Sequence, residues 1–117
     1  MVFVTAGSCR KQLESLTQLL ISAFPGSTIY RHTDLFRTLS DILNNKADAV
    51  FLVAETDIKN ELEFTQMLRR QKPDISVFII SNDENRREEA AEAGVKDYFV
   101  QPVGEQQLWD AMRLLPK

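Results

Sequence analysis

The hydrophobic pattern of the chain alternates short apolar runs with longer amphipathic segments, and one of the short runs contains no polar residue. Residues 49–54 are six apolar residues in succession. A run of this length that contains β-branched and aromatic residues predicts a strand covered on both faces. Residues 77–80 form a second run of this kind. The pattern therefore predicts a sheet centred on residues 49–54, with helices packed on both sides.

Five strands alternate with five helices in the predicted arrangement. The strands are expected at residues 2–6, 27–32, 49–54, 75–80 and 97–100, and the second of these is polar enough to suit an edge. Strict alternation of strand and helix implies a parallel sheet with right-handed crossovers. With two helices on one face and three on the other, the expected strand order is 2-1-3-4-5. The sequence thus predicts one three-layer α/β/α domain over residues 1–117.

Capping and turn residues mark the ends of the predicted helices. Ser8 is expected to cap the first helix and Asp34 the second, because each carries a side-chain oxygen at a helix start. Thr56 or Asp57 is expected to cap the third, and Gly94 to end the fourth in a left-handed conformation. The expected inward positions of the first three helices are Cys9, Leu13, Leu16, Leu20, Ala23 and Phe24; Leu35, Phe36, Leu39, Ile42 and Leu43; and Ile58, Leu62, Thr65 and Leu68. The fourth helix offers only alanines to the core, so we expect it to be the least firmly held.

Composition and charge narrow the classes of function. The chain has a net charge of −3 and one cysteine. The negative charge gives no general attraction to nucleic acid or to an anionic membrane, and one cysteine cannot form an internal disulfide. No apolar segment is long enough to cross a membrane, and Met1 leads into strand-like sequence rather than a signal peptide. We therefore expect a cytoplasmic protein that binds neither membranes nor, by this domain, nucleic acid.

Four stretches of the sequence resemble the receiver domain of response regulators, which has the CheY-like, flavodoxin-like fold of two-component signalling. They are residues 47–52, 71–81, 92–98 and 101–102, which read ADAVFL, QKPDISVFIIS, EAGVKDY and QP. The resemblance covers essentially the whole chain. It implies a crevice at the carboxyl edge of the sheet with a nucleophilic carboxylate, an acidic pair that binds Mg²⁺, a hydroxyl and a lysine. It also implies a cis peptide bond at Gln101–Pro102.

The residues at these positions are mostly unsuited to phosphotransfer. The nucleophile position is Val53, the acidic pair falls at about Gly7–Ser8, the lysine is Gln101, and only the hydroxyl, Ser81, is retained. A valine cannot form an acyl phosphate, and no carboxylate is placed to bind Mg²⁺. Without the carboxylates, a lysine at position 101 would be a partly buried cation without a partner, which lowers stability by several kcal/mol. The glutamine at this position avoids that cost. The resemblance thus predicts a degenerate pocket emptied of charge, with no catalysis, no metal and no cofactor.

Several residues near this pocket have both a functional and a structural interpretation. Ser81 either binds an anion or caps the turn that follows it. Gly7 and Ser8, at a helix N-terminus, either form an anion nest or only a turn. Cys9 is either a reactive thiol or a buried structural one, and its spacing favours the buried thiol. His32 lies near an edge strand without a metal-binding pattern, which favours an ordinary surface residue.

The fourth helix, fifth strand and fifth helix correspond to the face through which receivers bind partners or dimerise. That face would present Arg86, Arg87, Lys96, Asp97 and Trp109. Trp109 is expected at the rim of the buried stripe of its helix, either as an interface anchor or as edge packing. Tyr98 matches the aromatic switch position of the family. Without a phosphoryl group, we expect its ring to keep one rotamer or to respond only to a partner.

The sequence therefore favours a non-phosphorylated pseudo-receiver of a two-component-type signalling or transcriptional regulator. It would act by protein–protein interaction or dimerisation and not as an enzyme. A C-terminal output domain in a longer chain fits this interpretation, since residues 115–117 directly follow the last predicted helix. The alternative is a sensor that binds a small anion or nucleotide at the crevice between the first and third strands, beside Gly7, Ser8 and Ser81.

Overall fold

The run of apolar residues at 49–54 forms the middle of a five-stranded parallel sheet. The computed structural model describes residues 1–54 and 59–113. The elements are β1 (Val2–Gly7), α1 (Arg10–Ala23), β2 (Thr28–His32), α2 (Leu35–Asn45), β3 (Ala49–Val53), α3 (Lys59–Gln71), β4 (Ser76–Ser81), a 3-10 turn (Glu84–Arg86), α4 (Arg87–Ala93), β5 (Asp97–Val100) and α5 (Glu105–Met112). The strand order is β2-β1-β3-β4-β5. This confirms the predicted fold class and places the polar strand β2 at an edge.

The two central strands are buried along their whole length, which explains why their sequences lack a polar stripe. Every residue of β3 and of β4 is buried. Alternate residues of β3 face opposite layers: Val50 and Leu52 pack in the layer of α2, α3 and α4, and Phe51 packs in the layer of α1 and α5. The prediction of three helices on one face and two on the other is therefore confirmed.

A row of phenylalanines crosses the sheet on the side of α1 and α5. Phe51 stacks on Phe78 with ring centroids 5.0 Å apart, and Phe78 lies 6.0 Å from Phe99. Phe3 meets Phe51 edge-on at 5.8 Å. Such contacts between residues on one face of neighbouring strands contribute beyond the burial of their area. The row packs against the two helices on this face of the sheet, α1 and α5.

Three predicted local backbone features are confirmed: a helix cap, a left-handed helix end and a cis peptide bond. Asp34 is the N-cap of α2, and its Oδ1 accepts a hydrogen bond from the Phe36 N–H at 2.8 Å. Gly94 ends α4 with φ of 99°, the left-handed conformation that favours glycine. The Gln101–Pro102 bond is cis. The predicted cap of the third helix at Thr56 or Asp57, and Ile58 after it, lie outside the described residues.

The start of α1 differs from the prediction. Ser8 is not its cap, because the helix begins at Arg10 and the N-cap is Cys9, which makes no side-chain capping bond. Ser8 therefore lies one residue too early for its hydroxyl to reach the first turn. Cys9 is half-buried rather than buried, because a residue at the N-cap precedes the helical stripe that faces the core.

Two apolar residues of α2 were wrongly predicted to face the core. Phe36 is 82% exposed and Leu43 is 44% exposed. The buried stripe of the helix runs through Thr38 and Ile42. Phe36 is two residues, or about 200° of helical rotation, from Thr38, so it faces solvent.

The helix α4 contacts the core only through alanines, as predicted. Its buried residues are Ala90 and Ala93, and Ala90 packs in the layer that also holds α2 and α3. The weak attachment that follows from so little buried area stays a prediction. Within residues 1–54 and 59–113, no helix has both the length and the apolar character needed to cross a bilayer.

Candidate functional site

The carboxyl ends of β1, β3 and β4 meet at one edge of the sheet, where the resemblance places the phosphorylation pocket. In the register of the sheet, Gly7 pairs with Val53, and Val53 pairs with Ile80. Val53 is 3% exposed and packs in the same layer as α1 and α5. Val53, which the resemblance assigns to the nucleophile position, therefore lies within the apolar core.

The close approach of β1 to β3 leaves no room for a side chain at Gly7. A Cβ at this residue would lie 3.0 Å from the Val53 Cβ and 3.1 Å from the Val53 carbonyl oxygen. It would also lie 3.4 Å from Leu13 Cδ2. These distances are shorter than the optimal separation of carbon atoms, about 3.5–4.0 Å. A carboxylate at Gly7 would therefore have to displace β3 or the N-terminal turns of α1, while Ser8, the other residue at the acidic-pair position, is exposed.

The hydroxyl that the sequence retains at Ser81 is used by the turn after β4. Ser81 is fully buried, and its Oγ accepts a hydrogen bond from the Asp83 N–H at 3.1 Å. The carbonyl oxygen of Ser81 accepts the Gln101 N–H at 3.0 Å. Of the two interpretations of Ser81, the structure supports the turn cap. Gln101, at the lysine position, is half-buried.

A groove of about 350 Å³ lies at this edge, between α1 and the segment that joins β5 to α5. It is lined by Lys11, Gln12, Ser15, Leu16, Leu19, Val53, Ile80, Gln101, Pro102 and Val103. Gly7, Ser8 and Ser81 are not among these residues. The groove therefore only overlaps the predicted pocket, and among its lining residues Lys11 is charged. That the pocket itself is emptied of charge stays a prediction.

The polar residues that α1 contributes to this groove were not foreseen from the sequence. Lys11, Gln12 and Ser15 flank the buried stripe of Leu13 and Leu16, and following that flank along the helix would have found them. The Oε1 atom of Gln12 is buried and has no hydrogen-bond partner within the described part of the chain. The groove therefore offers one cation on an otherwise mainly apolar surface.

No cluster suited to a metal ion occurs among residues 1–54 and 59–113, where no three His, Cys, Asp or Glu side chains converge. The histidine His32 has a structural contact. His32 was predicted to be an ordinary surface residue, but its side chain is 22% exposed and its Nε2 contacts the Asp41 carboxylate. This contact ties the end of β2 to α2.

The ring of Tyr98, at the aromatic switch position, faces inward. Tyr98 is 3% exposed, and its hydroxyl donates a hydrogen bond to the carbonyl oxygen of Asp83. Arg87 holds it from the other side: its Nη1 donates to the Tyr98 carbonyl oxygen at 2.8 Å, and its guanidinium lies 5.5 Å from the ring centroid. The ring is thus anchored by residues on both sides of the turn after β4, and its fixed rotamer stays a prediction.

The remaining residues of the predicted interaction face fall into two groups. Arg86 forms an ion pair with Glu89 at 3.1 Å, and Asp97 accepts the Tyr98 N–H at 2.8 Å, while Lys96 is exposed. Lys96 and Asp97 lie on the α4–β5 side with Arg87, whereas Arg86 lines a depression with Leu62 and Gln66 of α3. Trp109 lies against α1 instead: its Nε1–H donates to the Ala23 carbonyl oxygen at 2.8 Å, which leaves the side chain 39% exposed.

Comparison with known proteins gives matches in structure only. No protein-family model and no curated protein matches the chain. The chemotaxis protein CheY4 of Vibrio cholerae superposes with a TM-score of 0.81 at 13% identity, covering 98% of each chain. A signal receiver domain of an HD domain-containing protein from Pseudomonas fluorescens Pf-5 gives 0.80 at 22% identity, over 96% of this chain and 90% of that one. A pilus assembly-related protein from Burkholderia pseudomallei K96243 gives 0.83 at 19% identity, over 97% and 87%. The chain therefore has the CheY-like fold of the receiver domains of two-component response regulators.

Proposed function

We propose that this chain is a pseudo-receiver, a receiver-fold domain that binds a protein partner or a second copy of itself without taking up a phosphoryl group. The burial of Val53 in the core at the nucleophile position carries this proposal. A valine has no oxygen with which to form an acyl phosphate. Gly7 has no carboxylate with which to bind Mg²⁺, and a Cβ at this residue would lie only 3.0 Å from the Val53 Cβ.

The neighbouring groups support the same conclusion. The Ser81 hydroxyl accepts a backbone N–H, and this bond would have to break before Ser81 could follow a phosphoryl group. The contacts of Tyr98 with Arg87 and Asp83 hold the ring inward. Without a bound phosphoryl group, no new interaction compensates for the loss of these bonds. The outer surface should therefore have one constant shape, which suits a rigid binding scaffold.

The partner-binding surface proposed is the α4–β5 side, which presents the exposed Arg87 and Lys96. The receiver fold also occurs in a protein described as pilus assembly-related, so the fold alone does not imply phosphotransfer. Trp109 belongs to a separate surface next to α1, because its indole N–H is bonded to Ala23. Sedimentation velocity would distinguish a homodimer from a monomer that binds another protein.

The test of the pseudo-receiver proposal is exposure to a phosphoryl analogue. Beryllofluoride with Mg²⁺ should leave the amide NMR spectrum unchanged, and incubation with acetyl phosphate and Mg²⁺ should leave the intact mass unchanged. The matched control contains the same fluoride and Mg²⁺ without beryllium. Shift changes clustered at Ser81 and Gln101, or an added phosphoryl mass, would contradict the proposal.

A second candidate function is a sensor of a small anion or nucleotide at the carboxyl-edge groove. The exposed Lys11 in that groove favours it, because a cation attracts an anionic ligand. A specific ligand should raise the melting temperature in proportion to the logarithm of its concentration above Kd. A thermal-shift screen of phosphorylated metabolites would detect this, and Gln101→Ala should reduce the rise because Gln101 lines the groove.

A further inference from the structure

A second groove lies on the same edge of the sheet, beside β2 rather than β3. Its volume is about 330 Å³, and α1, the end of β2 and the start of α2 enclose it. It is lined by Arg10, Leu13, Glu14, Arg31, His32, Thr33, Asp34 and Arg37. Leu13 is the only apolar residue in this lining, which suits a charged ligand and does not suit an apolar one. The volume falls within the range of small-molecule pockets, about 300–1,000 Å³.

The charge of this groove is opposite in sign to that of the chain. Its three arginines face two carboxylates, Glu14 and Asp34, which leaves one net positive charge, whereas the whole chain carries −3. Asp34 is already engaged, because its Oδ1 accepts the Phe36 N–H. Within residues 1–54 and 59–113, none of the three guanidinium groups forms an ion pair. Lys11 and Arg31 also line a neighbouring depression together, which extends the basic surface.

Other groups add hydrogen-bond donors to the groove. The contact of His32 Nε2 with Asp41 orients the imidazole, and no hydrogen bond engages Nδ1 within the described part of the chain. The first turn of α2 begins at the groove, and a helix N-terminus carries a partial positive charge. These donors support an anionic ligand, but the three arginines are the groups that define the site.

We propose that the groove between α1, β2 and α2 binds a small molecule that carries a phosphate group. Three arginines without ion pairs among the described residues line this one depression, and an anionic ligand there would be attracted to each of them. A guanidinium presents a planar fork of N–H donors that matches phosphate oxygens, and a phosphate near neutral pH carries enough negative charge to interact with more than one of them. The site is separate from the carboxyl-edge groove of Val53 and Gln101, and it does not depend on the pseudo-receiver proposal.

Because Glu14 and the arginines carry opposite charges, removing them should change the affinity for phosphate in opposite directions. Arg31→Gln and Arg37→Gln should each weaken phosphate binding about tenfold, the usual effect of losing a hydrogen bond to a charged group. Glu14→Gln should tighten it, because that carboxylate repels the ligand. Arg70→Gln on α3 is the matched control, since Arg70 is exposed and does not line the groove. A purely structural role of these residues would not predict opposite effects from Arg31 and Glu14.

The experiment is an NMR titration of the full chain with inorganic pyrophosphate at constant ionic strength. We expect saturable amide shifts at Arg10 and at residues 31–37, with the order of affinities Glu14→Gln, wild type, then the arginine variants. Absence of saturation up to millimolar pyrophosphate would overturn the proposal. So would equal weakening by Arg70→Gln, or shifts centred on Val53 and Gln101. Co-sedimentation with phosphatidylglycerol vesicles without pyrophosphate binding would also overturn it, because a flat anionic surface needs no groove.

Discussion

Two parts of the same sheet edge have been filled in opposite ways. At the ends of β1, β3 and β4, Gly7, Val53 and Ile80 pack together, and Val53 is 3% exposed. At the ends of β1 and β2, Arg31 and Arg37 line an open polar groove. The backbone register brings strand ends to this edge in both places. The side chains alone decide which part is buried and mainly apolar and which part is polar and exposed.

Substitutions in the two parts should have different effects: loss of folding stability in the closed part and loss of ligand binding in the open part. In the closed part, a new atom meets close-packed neighbours and a new charge meets no water. In the open part, a side chain exchanges one hydrated environment for another, so its loss affects binding more than folding. Substitutions in the two parts should therefore separate stability from ligand affinity.

Introducing an acid at the closed part should have the largest effect on stability. Val53→Asp would place a carboxyl group at a position that is 3% exposed, between Gly7 and Ile80, at a cost of about 4 kcal/mol or more. This is a large share of the stability of a typical domain, about 5–15 kcal/mol. Urea denaturation followed by circular dichroism would measure the change.

The control for that substitution keeps the shape of the side chain. Val53→Thr adds a hydroxyl without a charge, and it should cost about 1–3 kcal/mol. A Val53→Asp variant as stable as wild type would mean that water reaches this position. The description of this part of the crevice as closed would then be wrong.

A single methyl group at Gly7 should have the next largest effect. Gly7→Ala places a Cβ at 3.0 Å from the Val53 Cβ, and β3 cannot yield easily because it is paired on both sides. Overpacking of this kind costs about 1–3 kcal/mol, and the lower entropy of the unfolded alanine chain offsets part of it. Gly104→Ala is the control, since its nearest neighbour would be 4.0 Å away. Equal stability of the two variants in urea would show that β1 and β3 do not constrain each other here.

The fold was predictable because its signals are local and repeated. The unbroken apolar run at 49–54 marked β3 as central, and the alternation of strand and helix implied the strand order. Asp34 and Gly94 were also correctly placed, since capping depends on a few neighbouring residues. The chemistry implied for Val53 and Ser81 followed from the resemblance and from the register of parallel strands.

The parts that could not be predicted depend on the exact rotation and start of a helix. A shift of one residue in the start of α1 removed Ser8 from the cap, and a 200° difference from Thr38 turned Phe36 outward. Lys11 was missed because the hydrophobic pattern marks the buried stripe of α1 and not the flank on which Lys11 lies. The arginine groove was missed for a different reason: Arg10, Arg31 and Arg37 come from three segments that only the folded chain brings together.

The smallest effects on stability are expected in the open part. Arg31→Gln and Phe36→Ser should each change the free energy of unfolding by less than about 0.5 kcal/mol, because both side chains are exposed. Ile42→Ala, six residues further along the helix than Phe36 and fully buried, should cost about 2–5 kcal/mol and serves as the positive control. Urea denaturation of the three variants would measure these differences. A loss above about 1 kcal/mol for Arg31→Gln would mean that this side chain supports the fold. Unchanged stability would allow any loss of pyrophosphate binding in that variant to be assigned to the missing charge.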